Sequence, residues 1–267
     1  MTITEFLHHA TQTFAGADIP TARLDVLVLM EQVLKHNKAW LLAHGEEPIV
    51  AEKLADLQQK IARRAKREPL AYILGQQEFY GRRFSVTPDV LVPRPESELL
   101  IDLLKTLPLP NGASLLDIGT GSGTLAITAA RELPHLRVDA CDTSPAALAV
   151  AAQNAERLGA LVHFFESDLL HSAEKHYTAI IANLPYVARD WQRSPETNFE
   201  PPQALFAKDD GLALITQLIA SAPEYLHQGG WLLLEADPRQ FARIKELAEP
   251  AFTLIRSEGF AQVLQKN

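Results

Sequence analysis

From residue 113 onward, short apolar runs alternate with longer segments of helical spacing. Ser114–Ile118, Arg137–Cys141, Val162–Glu166, Tyr177–Asn183 and Gly230–Glu235 read as strands. Gly123–Leu133, Pro145–Leu158, Gly211–Leu226 and Pro238–Glu249 read as helices. Such alternation predicts an α/β fold, a parallel sheet wrapped on both faces with ligands at the carboxyl ends of the strands. Phe252–Arg256 and Phe260–Leu264, joined at Glu258-Gly259, read as a terminal hairpin that places an antiparallel strand in the sheet and brings it to seven strands.

The N-terminal part follows a different pattern. Residues 1–75 keep helical spacing throughout, with Leu24, Leu27, Val28 and Leu34 behind a start at Asp18, Pro20 and Thr21. Leu54, Leu57 and Ile61 share one side of a helix from about Val50 to Arg67, and Gly45-Glu46-Glu47-Pro48 separates the two. Glu78–Val86 reads as a hairpin turning at Gly81, and Pro95 opens a helix over Glu96–Leu107. The expected division is a small helical bundle for docking over 1–75, a hairpin connector over 76–92 and a catalytic domain over 93–267.

Composition narrows this only in part. Of 267 residues, 47% are apolar and 22% charged, values ordinary for a globular enzyme. No apolar run reaches the length that spans a bilayer, and Met1-Thr2-Ile3-Thr4-Glu5 lacks a basic, apolar leader, so a cytoplasmic chain without membrane contact is expected. Cys141 is the single cysteine, and the nine histidines show no metal-ligand spacing, so no metal is assigned. The net charge of −8 is uneven: residues 1–90 carry 11 basic and 11 acidic side chains, leaving 14 and 22 for residues 91–267. An acidic catalytic half points away from direct nucleic-acid binding and towards a protein substrate. Arg63-Arg64-Ala65-Lys66-Arg67 reads as a solvated helix face in preference to a binding patch.

The candidate chemistry lies at two strand ends. Asp117-x-Gly119-Thr120-Gly121-Ser122-Gly123 follows a strand and opens a helix, letting the backbone approach a ligand closely. Its third glycine comes one residue too early for a dinucleotide fingerprint, and no lysine follows to make a phosphate loop. Asp142 ends the second strand, where a carboxylate can accept both ribose hydroxyls of an adenosine. Asp168 can accept from an adenine amino group while Leu169 packs on the ring; a solvated strand end is the alternative for Asp168. Asp117 is placed to reach a methionine ammonium.

Asn183-Leu184-Pro185-Tyr186 completes the picture. The Asn183 side-chain oxygen and the Leu184 carbonyl can each accept one hydrogen of a planar NH2 group, with Tyr186 as an aromatic wall. An amide nitrogen is a poor nucleophile, and two acceptors favour a rehybridised nitrogen whose lone pair faces a methyl donor. With both features in one cleft, S-adenosylmethionine is the expected cofactor. Arg94 and Glu96 suit either substrate contacts or an ion pair and helix opening.

Taken together, these motifs resemble the N5-glutamine methyltransferases that modify peptide-chain release factors, the PrmC/HemK type. The resemblance covers nearly the whole chain: the helical N-terminal domain, the hairpin, Pro93-Arg94-Pro95-Glu96-Ser97-Glu98, Asp117–Gly123, Asn183–Tyr186, Phe199-Glu200-Pro201, Asp210-Gly211, and Glu235 with Gln240. It implies a class I, Rossmann-like S-adenosylmethionine-dependent methyltransferase fold with an N-terminal helical bundle, acting as a monomer. Its implied substrate is the Gly-Gly-Gln glutamine of class 1 release factors. By resemblance the cofactor lies against Gly119–Gly123, Asp142 and Leu169, and the glutamine against Asn183–Tyr186. The chain departs from the family at Leu184, where the usual motif is Asn-Pro-Pro-Tyr. The backbone carbonyl is retained there, and a somewhat looser loop is expected. Asp237 stands where the family often has glycine. Glutamine methylation of a ribosomal protein, or methylation of adenine N6 or guanine N2 in a nucleic acid, poses the same chemical problem and stands as the alternative.

Overall fold

The computed structural model describes residues 1–267, which fall into two units. Met1–Gly75 and Arg193–Phe199 make the first; Gln76–Gln192 and Glu200–Asn267 make the second.

The first unit holds α1 (Ile3–Ala15), α2 (Ala22–Leu34), α3 (Lys38–Ala43), α4 (Ala51–Ala65) and α5 (Leu70–Leu74). A reciprocal cap fixes the start of α1: Thr2 accepts from the Glu5 amide, and Glu5 accepts from the Thr2 amide. Thr21 precedes α2 without capping it through its side chain, contrary to the expected start. Phe6, Phe14, Leu29, Met30, Leu41 and Leu57 pack into one apolar core.

The basic cluster at the end of α4 is not a solvated face. Arg64 is 6% exposed and donates to Asp25, itself 5% exposed, at 2.8 Å. It also donates to Glu196 at 2.8 Å, and Arg67 clamps the same carboxylate through two nitrogens at 2.8 and 2.9 Å. Arg67 further donates to the Ala17 and Asp18 carbonyls. Burial opposes the charge on Glu196, but Arg67, Ser194 and Arg64 override it and hold the carboxyl down at about 2. This network draws residues 193–199 into the first unit. The expected division had placed these residues with the catalytic domain over 93–267.

The second unit begins with the hairpin β1 (Gln76–Phe79) and β2 (Arg82–Ser85), followed by α6 (Glu98–Thr106). Pro95–Ser97 forms a short 3-10 turn ahead of α6, so the α-helix starts two residues later than expected. Next come β3 (Ser114–Ile118), α7 (Thr124–Glu132), β4 (Arg137–Asp142), α8 (Pro145–Leu158), β5 (Val162–Glu166) and β6 (Tyr177–Ala182). The chain closes with α9 (Pro202–Leu205), α10 (Ala213–Tyr225), β7 (Leu226–Glu235), α11 (Phe241–Ala248), β8 (Phe252–Glu258) and β9 (Ala261–Lys266). The seven-stranded sheet runs β5-β4-β3-β6-β7-β9-β8, and only β9 runs opposite to the other six strands. The strand order reverses between β3 and β6, the point where such sheets open a crevice at their carboxyl ends.

Strand alternation sorts the core into two layers. Leu115, Ala179, Ile181, Leu233 and Val263 face α6, α7 and α8, while Leu116, Ile118, Ile180, Ala182, Leu232 and Leu234 face α10 and α11. That parity positions the site. Ala182 pairs with Leu234, so the next residues along, Asn183 and Glu235, emerge side by side on the α6 face. No helix is long and apolar enough to cross a membrane.

Glu196→Gln removes the charge that Arg64 and Arg67 share. It should destabilise the first unit by roughly 3 kcal/mol, the cost of leaving a buried guanidinium underpaired. Denaturant unfolding followed by hydrogen exchange in α4 checks this, and an unchanged midpoint would remove the network's structural role.

Candidate functional site

A cleft of about 270 Å³ opens at the carboxyl ends of β3, β4, β5 and β6. Gly119, Thr120, Gly121, Ser122, Asp142, Asp168, Leu169, Asn183, Leu184, Pro185 and Arg94 all line it, so the sheet brings most of the expected site residues together.

The glycine loop needs its glycines for two different reasons. Gly119, Gly121 and Gly123 all have positive φ, which favours residues without a Cβ. A Cβ on Gly123 would also lie 2.7 Å from Ile127 and 3.1 Å from Ala151, so that glycine lets α7 and α8 approach. A Cβ on Gly121 would meet nothing within 4 Å, since the space above it is the cleft. Gly123 itself does not line the cleft; it opens α7.

The two aspartates differ sharply. Asp142 receives the Gly121 amide on one oxygen and the Ser144 amide on the other, each at 2.9 Å. Its carboxylate is thus held at the cleft wall, with lone pairs left for hydroxyl donors. Asp117 is not among the residues that line the cleft. It shares the parity of Leu115 and points under α7, where one oxygen accepts from Thr120 at 2.7 Å and the Ala126 amide at 3.1 Å. The other oxygen is buried without a partner. Burial pushes the Asp117 carboxyl up to about 7, the bonds from Thr120 and Ala126 hold it back, and Asp142 adds to the rise. Asp168 is exposed, and Leu169 beside it is buried at a positive φ of 48°. A bulky residue in that conformation is held there by its surroundings.

At the end of β6, Asn183 donates through Nδ2 to Ser97 Oγ at 2.9 Å, and no group of the protein donates to its Oδ1. The Leu184 carbonyl likewise receives no donor from the protein. Leu184 is 5% exposed in the apolar layer of Ile118 and Ile215, and it packs on Gly119. This contact anchors the side chain where the usual motif has a proline ring. Tyr186 is not among the residues that line the cleft. Its hydroxyl donates to Glu235 at 3.1 Å, and its carbonyl accepts from Gln240 at 2.9 Å. Burial, then Glu235, raises the Tyr186 phenol well above its usual value.

Around this motif a second set of contacts sets the loop. Gln240 donates to both the Tyr186 and Asp210 carbonyls, and a Cβ on Gly211 would strike the Tyr186 oxygen at 2.0 Å. Asp237 holds the turn that follows β7. Its carboxylate caps the turn at Arg239, while Arg239 lies 3.7 Å above the Trp191 ring. Arg94 lines the cleft and pairs with the fully buried carboxylate of Glu200; Glu96 does not line it. Ser97 and Glu235 stood in the motifs that carry the resemblance without a role of their own, and the Asp89–Leu91 stretch of the cleft was not expected. A glutamate ending the apolar run Trp231–Leu234 was the one visible signal among them.

Comparison with known proteins separates the helical N-terminal part from the methyltransferase part, with residues 193–197 in the latter match. Residues 5–75 match the family described as PrmC N-terminal domain, and residues 95–197 match the Methyltransferase small domain. A release factor glutamine methyltransferase from Coxiella burnetii is 39% identical over 249 residues, covering 92% of this chain and 87% of that protein. One from Koribacter versatilis is 40% identical, covering 89% of each. Among solved structures, a methyltransferase from Pyrococcus furiosus has the same fold, with a TM-score of 0.54 and 20% identity over 81% of this chain and 99% of that one.

Asp117 carries the pH signature of this site. Because its folded pKa lies above the unfolded value, its contribution is fully present below about pH 4 and is lost as pH rises through about 7. Between these values stability should fall with a slope on the order of 1 kcal/mol per pH unit, and Asp117→Asn should flatten it. Denaturant midpoints at pH 5 and pH 7.5 for both proteins test this; parallel pH profiles would contradict it.

Proposed function

The chain belongs to the release factor glutamine methyltransferase family, and from that membership we propose that it methylates the side-chain amide nitrogen of the Gly-Gly-Gln glutamine in class 1 peptide chain release factors, with S-adenosylmethionine as methyl donor. The observation that carries the chemistry is the pair of acceptors with no donor from the protein, Asn183 Oδ1 and the Leu184 carbonyl, at the edge of one cleft.

The residues present fit the cofactor. Asp142 would take the ribose hydroxyls, the Gly119–Ser122 backbone would cradle the amino-acid portion, and Asp168 and Leu169 would border the adenine. The open space above Gly121 and the two amides that orient Asp142 support this assignment. When bound, S-adenosylmethionine supplies an electrophilic methyl group on a sulfonium.

The chain's own residues handle the acceptor. Asn183 Oδ1 and the Leu184 carbonyl would each accept one hydrogen of the glutamine NH2, drawing its lone pair out of conjugation. As positive charge grows on that nitrogen, both hydrogen bonds become charge-assisted and strengthen, which favours the transition state over the ground state. No strong base is required before attack, because the proton is lost once the nitrogen is cationic. Leu184 and Pro185 close the cleft with apolar surface, and Arg94 is proposed to meet the substrate backbone. Residues 1–75 are proposed to dock the release factor, in line with their match to a domain separate from the methyltransferase part.

Asn183→Ala should lower methyl transfer by about 100-fold or more, as losing one preorganised polar contact to developing charge does elsewhere. Its affinity for S-adenosylmethionine, measured by calorimetry, should be little changed. Leu184→Pro should leave transfer within about one order of magnitude, because both residues offer the same carbonyl. Full activity in Asn183→Ala would sink the reading.

A further inference from the structure

We propose that Glu235, acting through Ser97, is a positioning residue that fixes which end of the Asn183 amide faces the cleft. In this way it sets the preference for an acceptor that presents NH2. The inference rests on the reading of the site as a glutamine-amide methyltransferase.

The oxygen and NH2 ends of an asparagine amide have nearly the same shape, so a flip of the group exchanges acceptor for donor. With Asn183 flipped, its own NH2 would confront the NH2 of the substrate, and the site would repel its acceptor. Something must therefore decide the orientation, and the direct neighbour cannot. Ser97 Oγ receives Asn183 Nδ2 at 2.9 Å, but a hydroxyl can donate as readily as it accepts.

Glu235 removes that freedom. The register of β6 on β7 carries it to the position beside Asn183, where it is 2% exposed. An ionised carboxylate only accepts. Tyr186 donates to one of its oxygens, and the other, Oε2, is buried with no direct donor. The Ser97 hydroxyl donates to no acceptor in the protein. Burial raises the Glu235 carboxyl above its usual value, and Ser97, Tyr186 and Asn183 beside it hold that rise back. The unpaired carboxylate oxygen and the unassigned serine proton thus complete each other. Ser97 turns its proton to Glu235 and keeps a lone pair for Asn183 Nδ2. Every donor in the chain points towards Glu235, and Oδ1 is left at the cleft.

The same carboxylate braces both ends of the motif, Asn183 through Ser97 and Tyr186 directly. A neutral amide at position 235 breaks the polarity. Its NH2 can donate to Ser97 Oγ, the serine proton then turns to Asn183 Oδ1, and the amide flips.

The test uses the full chain, S-adenosylmethionine and an unmethylated release factor. Beside it stands the same factor carrying glutamate in place of the Gly-Gly-Gln glutamine, used as a competitor. In Glu235→Gln, kcat should fall about 100-fold, the loss typical of a misplaced reacting pair, with unchanged affinity for S-adenosylmethionine. The preference for the glutamine form over the glutamate form in binding should shrink by about tenfold, a hydrogen bond's worth of discrimination. A merely structural role would not move that ratio. Ser97→Ala should show the same changes in weaker form, and Ser97→Thr should restore both. If Glu235→Gln does not fold, the two serine variants carry the comparison. A retained preference in Glu235→Gln, or in Ser97→Ala, alongside active wild-type protein would overturn this inference alone. Wild-type protein that transfers no methyl to the release factor would overturn the functional reading and this inference with it.

Discussion

A conjugated NH2 group offers almost no lone pair, so a protein that uses it as a nucleophile must hold both of its hydrogens at once. That demand falls on the few residues where β6 runs out. Ala179–Ala182 of β6 are paired with β3 on one side and β7 on the other; beyond Ala182 the ladder stops and the Leu184 carbonyl is left free. Leu184 contributes that carbonyl, and Asn183 contributes a side-chain oxygen because its nitrogen is tied back to Ser97. The remaining geometry serves this pair. Leu184 is pinned in the apolar layer, Gln240 grips the Tyr186 carbonyl, and Gly211 leaves room for it. A rigid acceptor pair is useful because its electrostatic gain requires no reorganisation as charge develops.

The neighbouring strand ends show how burial divides labour among like residues. Asp117 and Asp142 both stand at the edge of the glycine loop. Asp117 points under α7 and spends its hydrogen bonds on the loop itself, and its burial raises its pKa. Asp142 meets two backbone amides at the cleft wall and stays available to a ligand. Position along the strand separates the two roles, since Asp142 lies two residues beyond Ala140, the partner of Asp117, and strand parity puts both on one face. Parity also places Asn183 and Glu235 on one face, where an acid two strands from the glycine loop can act on the acceptor side of the site.

The strand–helix alternation, the antiparallel strand near the edge and the loop at Asp117–Gly123 were legible because burial on both faces writes long apolar runs, and tight turns require glycine. The Asn183–Tyr186 motif was legible for the same reason: polar and rigid residues follow immediately on a buried strand. What stayed hidden depends on register and on contacts distant in the chain. Ser97 is an ordinary serine in a helix-opening segment, and only the folded sheet brings it to Asn183, 86 residues away. Arg64 and Arg67 looked like a solvated face because their partners, Asp25 and Glu196, lie far off in sequence. Tyr186 reads as a pocket wall, and the bond from its hydroxyl to Glu235, 49 residues away, had no signal in the sequence. Asp237 was opaque as a sequence exception and becomes clear as a cap.

The chemistry of the site comes down to where a methyl group goes. Tandem mass spectrometry of a release factor treated with the protein and S-adenosylmethionine carrying a deuterated methyl group reads that directly. The label should appear on the side-chain amide of the Gly-Gly-Gln glutamine and nowhere else in the factor. Label on another residue, or label found only in ribosomal protein or nucleic acid offered in the same mixture, would contradict it.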